Sequence, residues 1–163
     1  MSYWIFQGNP KYYGIDEYLA RFPVLVYWGV PQLKEEVRTG DRAYIWRAGP
    51  NAGAVASGWI VEGPVSTKSV QHPEALGDDL WLAEKPGEMD LKAGLELDSV
   101  RLSVGEGMLT RPLVKEDSVL GKTLIIRNPQ RTVFRLSDEE GERLEVLWGR
   151  ALVDSSDEVE SSV

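Results

Sequence analysis

Trp4-Ile5-Phe6 runs straight into Gln7-Gly8-Asn9-Pro10, and the same abrupt switch from apolar to turn-forming residues recurs down the chain. Glycine supplies backbone conformations that other residues resist, proline ends helices and ladders, and Asn and Asp bond their own backbone in turns. Such punctuation confines the chain to short elements joined by many loops. The first switch reads as a strand over residues 2–7 that ends in a loop presenting its amide side chains. A strand end of this kind is a natural place to bind something.

Ile15, Tyr18, Leu19 and Phe22 fall at the spacing of a short amphipathic helix that Pro23 ends, and a strand over 24–28 follows. Leu33 and Val37 share a face on one or two helical turns through 32–38, and Thr39-Gly40-Asp41 then turns into a strand over 42–47. That strand sets Arg42, Tyr44 and Trp46 on one face and Ala43, Ile45 and Arg47 on the other. Pro50-Asn51-Ala52-Gly53 joins it as a hairpin to a long strand over 54–62, closed by Gly63-Pro64. There Ala54, Ala56 and Gly58 share a face, which suits a tightly curved barrel or the close approach of a ligand or backbone.

Residues 66–95 read mainly as loop, with one short strand near 80–83. Val100, Leu102 and Val104 alternate as in a half-buried strand, 117–121 holds a helical turn, and 124–136 offers two short apolar runs around Pro129. Ser137 with Glu140 makes a capping box ahead of a helix whose Leu144, Leu147 and Trp148 form an apolar stripe. Short strands with a few small helices, and no regular strand–helix alternation, predict an α+β domain around a curved sheet or barrel.

A chain of 163 residues suits one domain, expected over residues 1–152. Past Leu152 the Asp/Ser/Glu sequence has little to bury, so 153–163 reads as an acidic, disordered tail. The formal net charge is -8, but the last ten residues hold four acids and no base, leaving 18 basic against 22 acidic residues over 1–153. That balance argues against strong, sequence-blind phosphate binding and leaves recognition of a base in a pocket open. No run approaches the roughly 20 apolar residues of a membrane helix, and no leader pattern precedes the first strand. A soluble protein in the cytoplasm is expected, with no membrane partner.

There are no cysteines and one histidine, His72, so neither a metal site nor a nucleophilic triad can be assembled in the usual ways. Asp78-Asp79 reads as a solvated loop pair and Glu139-Glu140 as a helix start, while Gly105-Glu106-Gly107 lacks the lysine and the helix of a phosphate loop. The expectation is therefore no enzyme, no metal and no cofactor. Six Trp and six Tyr stand out, with Trp28, Trp46 and Trp59 each beside Gly or Arg at a strand end or edge. Rings near amides suit a pocket that stacks a flat ligand, as extruded bases are held; they equally suit a small core. Arg127, Arg131 and Arg135 recur around Asn128-Pro129-Gln130 and are candidate phosphate contacts if that loop borders the pocket.

Read together, residues 3–13, Trp28-Gly29-Val30, 40–49, 53–64 and 127–134 resemble the EVE domain, a PUA-like family related to the YTH readers of modified RNA. The likeness spans nearly all of residues 2–150 and implies a PUA-like curved β-barrel with short peripheral helices. It also implies a pocket for a flipped, modified base, such as 5-methylcytosine or a relative, in DNA or RNA. On matching positions, Gln7, Gly8 and Asn9 would read the polar edge, Trp28 would form a cage wall, and Trp46, Arg47 and Ala48 would complete it. One departure is Pro129-Gln130-Arg131-Thr132-Val133-Phe134 where many relatives have Pro-Gln-Gly-Thr-Asn-Phe. The resemblance therefore implies a non-catalytic reader whose partners are modified DNA or RNA and a separate effector protein. The alternative is a sensor of a free nucleobase or nucleoside, or a protein-interaction module, with the same pocket.

Overall fold

Trp4 sets the sheet at its first turn. Its indole donates to Asp41 Oδ2 at 2.8 Å, and the Ser2 amide donates to Oδ1 of the same carboxylate at 2.9 Å. These bonds lay β1 (Tyr3–Gly8) beside β3 (Arg42–Arg47) in a parallel register running from Tyr3↔Arg42 to Gly8↔Arg47. The remaining strands are β2 (Leu25–Gly29), β4 (Gly53–Ser66), β5 (Leu91–Val100), β6 (Leu109–Thr110) and β7 (Val133–Leu136). The sheet order is β2-β5-β4-β3-β1-β7, with β6 against β4, and every pair except β1–β3 is antiparallel. Helices α1 (Ile15–Arg21), α2 (Arg111–Glu116), α3 (Leu124–Arg127) and α4 (Asp138–Ser161) pack around it. The computed structural model describes residues 1–161, the side chains of Glu88 and of 154–161 excepted.

The mixed α+β class is as expected, but the sheet is open where a closed barrel was anticipated. β2 and β7 are its two edges. Side chains rather than a ladder span the gap: Gln32 Oε1 accepts from the Thr132 and Val133 amides at 3.0 and 3.2 Å, and the Trp28 indole donates to Gln7 O at 3.2 Å. The Gln32 carboxamide thus satisfies amides at the start of β7 that a further strand would otherwise bond.

Two cores lie against the sheet. One gathers Trp4, Phe6, Tyr18, Trp28, Ile45 and Leu95; the other gathers Ile5, Tyr44, Trp46, Leu109, Phe134 and Trp148. The expected common face of Ala54, Ala56 and Gly58 breaks at a bulge, because Ile45 pairs with Ala56 and Trp46 with Ala54. Ala54 therefore joins the second core and Ala56 the first. Gly58 does meet a backbone closely, since a Cβ there would lie 2.3 Å from Glu96 O.

Other expectations need correction. Residues 32–38 form a turn, not helical turns: Leu33 has φ 55°, and its carbonyl accepts from the amides of Glu36 and Val37. The loop expected over 66–95 contains the start of β5, whose Ala93, Leu95 and Leu97 alternate with Lys92, Gly94 and Glu96. After Val100 the chain leaves the sheet, so the strand expected through Val104 is absent and Val104–Glu106 is a short 3-10 turn. Of the two apolar runs around Pro129, the first is helix α3 and the second is β7. The capping box forms as expected, with Ser137 N donating to Glu140 Oε1 at 2.7 Å and Glu140 N to Ser137 Oγ at 3.1 Å. Helix α4 continues past Leu152; the side chains of the acidic stretch expected to be a tail lie outside the described residues. No helix among the described residues is long and apolar enough to cross a membrane.

Candidate functional site

The open seam of the sheet holds a cavity of about 490 Å³. Gln7, Gly8 and Asn9 line it from the end of β1, Trp28 and Gly29 from the end of β2, and 129–132 from the loop before β7. Its remaining lining comes from Tyr12 and Tyr13 and from the segment that leads into β5, with Trp81, Met89 and Lys92.

Trp28 is fixed in place. It is 6% exposed, its indole N–H is bonded to Gln7 O, and its ring rests so close to Gly8 that a Cβ there would lie 2.7 Å from Trp28 Cζ2 and 2.6 Å from Ile15 Cδ1. Gly8 is thus required by a close approach, not by its own backbone angle. Beyond it the Asn9 carbonyl accepts from the Tyr12 and Tyr13 amides, and Asn9 Oδ1 accepts from Lys11 N at 2.9 Å, an Asx turn that ends β1.

Gln7 is a clamp before it is a reader. Its Nε2 donates to Arg131 O at 2.7 Å and Pro129 O at 3.2 Å, and its amide donates to Thr132 O at 2.7 Å. Those bonds hold the 129–132 loop against the strand end. They use the carboxamide's donors and leave Oε1 as an acceptor. Asn9 is the complement, since its oxygen is engaged in the turn and its nitrogen remains a donor.

The other wall is built from turns. Residues 80–82 lie against 12–14 through Gly14 N to Leu80 O and Leu82 N to Tyr12 O, both at 2.9 Å, with a lone bridge between Tyr13 and Trp81. The short strand expected near 80–83 is reduced to that bridge. The Tyr13 and Trp81 rings meet at 4.7 Å, and Tyr13 Oη donates to Gly77 O at 2.7 Å. Burial pushes the Tyr13 phenol well up, so it acts as a neutral donor. Trp81 Nε1 is buried without a hydrogen-bond partner among the described residues, whereas the Trp28 indole is bonded to Gln7 O. Lys92 is 4% exposed on the same cavity; burial lowers its pKa, against the opposing pull of Asp78.

Of the residues expected in the pocket, Gln7, Gly8, Asn9, Trp28 and Ala48 do line it. Trp46 does not: it shares the sheet face of Arg42 and Tyr44 and lies 2% exposed in the second core. Arg47 is also elsewhere, paired with Asp16 at 3.0 Å, donating to the carbonyls of Asn51 and Leu102, and lining a separate cavity with Arg111. Among the three arginines only Arg131 reaches the cavity. Arg127 is exposed, and Arg135 donates to Ser2 Oγ and sits over the Trp4 ring. The Asp78-Asp79 pair is not merely solvated, because Asp79 pairs with Arg21 and Asp78 with Lys85.

Tyr13, Trp81, Met89 and Lys92 were not anticipated. An aromatic and a lysine on either side of a Pro-Gly turn carry little signal by themselves, and it takes the 12–14 pairing to bring them to the strand ends. His72 pairs with Glu74 at 3.3 Å on an exposed loop. Among the described residues no three His, Asp or Glu side chains gather as a metal site would require.

No protein-family model and no curated protein matches the sequence. Solved structures do match. A hypothetical protein from Leishmania major superposes with a TM-score of 0.63 at 14% identity, covering 92% of this chain and 96% of that one. Human THYN1 protein, solved in complex with DNA containing 5-methylcytosine, gives 0.62 at 10% identity over 91% of this chain and 98% of its own. The DUF55 domain of human thymocyte nuclear protein 1 gives 0.60 at 10% identity, over 90% and 98%. At such identities the likeness is one of fold. The chain therefore shares the fold of the human DUF55 domain.

Proposed function

We propose that this chain is a non-catalytic nucleic-acid-binding protein that holds a flipped, modified base in the cavity at the open seam. The observation that carries the reading is the cavity itself. Its volume of about 490 Å³ lies within the range of small-ligand sites, and it joins the rings of Trp28 and Trp81 to a few polar groups at a strand end. The human protein of the same fold solved with 5-methylcytosine DNA supports the choice of ligand.

Extruding a base costs a few kcal/mol, and stacking at about 1–3 kcal/mol per base offsets that cost. Stacking accepts any ring; hydrogen bonds choose among them. Gln7 Oε1 as acceptor and Asn9 Nδ2 as donor form the polar edge, and an acceptor suits the exocyclic amine of a cytosine. Arg131, half-buried on the cavity lining, contacts a flanking phosphate in this reading. A response to binding then falls to a separate effector protein.

Titration with oligonucleotides that differ only in one modified base tests the reading: tighter binding of a modified strand is expected. Equal affinity for all of them, or none, would sink it. The acidic balance over 1–153 favours a second reading, in which the pocket holds a free nucleoside. Thermal stabilisation by monomeric nucleosides, with no response to oligonucleotides, would select that reading.

A further inference from the structure

We propose that Lys92 makes the pocket selective for a base whose ring carries an acidic oxygen substituent, of the carboxylated-pyrimidine kind, over one that carries only a methyl group. This rests on the base-pocket reading above and names the class of modification that pocket takes.

Lys92 sits near the start of β5, paired with Gly29 of β2, so its backbone is fixed at the same strand end as Trp28. Its side chain is 5% exposed, yet the residue lines the cavity. A lysine this deep normally has an acid or several acceptors around its amine. Here the amine makes no hydrogen bond among the described residues. Asp78 Oδ1 stands 4.0 Å away, while Oδ2 of that carboxylate faces Lys85 at 3.6 Å, and Lys85 is itself drawn to Asp90 at 3.2 Å. The Trp81 ring lies 5.8 Å from the amine, near the outer limit of a cation–π contact. Glu84, the acid on the cavity lining, is an exposed residue.

A desolvated donor facing a cavity, with its nearest acid among the described residues shared with Lys85 and beyond hydrogen-bond distance, is completed by the occupant. A backbone phosphate is a poor candidate, because it stays in solvent when its base turns inward and the amine is too buried to meet it. The base edge or its substituent does reach that depth. A carboxylate there accepts a charge-assisted hydrogen bond, roughly twice as strong as a neutral one and strengthened by the low dielectric around it. A methyl group in the same place leaves the amine desolvated and unpaired. Burial already disfavours the charged amine, and an anionic occupant removes that penalty.

The test uses the full chain and three oligonucleotides identical except at one cytosine, which is unmodified, 5-methylated or 5-carboxylated. Each is titrated against the wild type and Lys92→Met at fixed salt and neutral pH. The wild type is expected to bind the carboxylated strand about tenfold more tightly than the methylated one, and Lys92→Met to abolish that ratio. A wild type that binds both modified strands equally and more tightly than the unmodified one, or a folded Lys92→Met that keeps the preference, overturns the role of Lys92 and leaves the pocket reading intact; equal binding of all three strands overturns both. If no oligonucleotide binds, both fall. Thermal melts establish that the variant is folded; if it is not, the wild-type ratio alone decides.

Discussion

Trp28 enters the cavity from a strand paired along its length with β5, with its indole tied to β1 and its ring against Gly8. Trp81 enters from a stretch of 3-10 turns that belongs to no strand ladder and is tied to 12–14 by a lone bridge and to α1 by side-chain bonds, with an indole N–H that has no hydrogen-bond partner among the described residues and a lysine beneath its ring. One wall is thus set by the fold before any ligand arrives. The other carries an indole N–H with no hydrogen-bond partner among the described residues and a buried lysine whose nearest carboxylate stands 4.0 Å away.

Alanine at each tryptophan separates the two most strongly. Trp28→Ala removes a nearly buried ring from the first core and should cost about 3–5 kcal/mol in denaturant unfolding. Trp81→Ala should cost about 1–2 kcal/mol, because that ring is half-buried and its indole is unbonded, yet it should weaken ligand binding as much as loss of one stacking partner does. Equal stability losses would erase the distinction between the walls.

The glycines give a finer version. Gly8→Ala drives a Cβ into the Trp28 ring and the buried Ile15, so a loss of about 1–3 kcal/mol is expected, with a shifted tryptophan emission. Gly29→Ala meets Met89 Sδ at 2.4 Å, which is a closer approach but to a flexible side chain on the turn-built wall. Its cost should stay below about 1 kcal/mol, since Met89 can turn aside. A larger loss at Gly29 than at Gly8 would show that the turn-built wall is as rigid as the strand-built one.

Lys92→Met should raise stability at neutral pH by about 1 kcal/mol, measured as a higher Tm, because an unpaired buried amine is exchanged for an apolar chain of similar length. The sign with pH follows from burial, which lowers the lysine's folded-state pKa below its ordinary 10.5. The unfolded chain then binds that proton more tightly, so wild-type stability gains on the variant as pH rises through the window below 10.5. An advantage of Met that grows with pH would contradict this assignment. Gln7→Leu should cost as little, roughly 0.5–1.5 kcal/mol, and its clearest sign should be faster amide exchange at Thr132 and Val133 as the loop loosens.

The strand-built wall is also the one that could be read from sequence. Trp4 to Asn9 combine a short continuous apolar run with a turn signal, and Trp28-Gly29 ends another such run, so both strand ends and their glycines are visible locally. Trp46 and Arg47 were misplaced although their strand was right. Alternation tells which residues share a face, but not that α4 covers the Tyr44–Trp46 face or that Asp16 claims Arg47. Trp81 and Lys92 depend on pairings between 80–82 and 12–14 and between β5 and β2, contacts far apart in sequence with no local periodicity to announce them. The closed barrel failed for a related reason: the motifs show curvature, while closure depends on whether two edges meet.

That unmet edge has a mechanical consequence. Parting β2 from β1 and β7 breaks no strand ladder; it means letting go of the side-chain bonds of Trp28 and Gln32. The cavity therefore lies on a seam closed by side-chain bonds and by the packing of the first core, without a ladder across it.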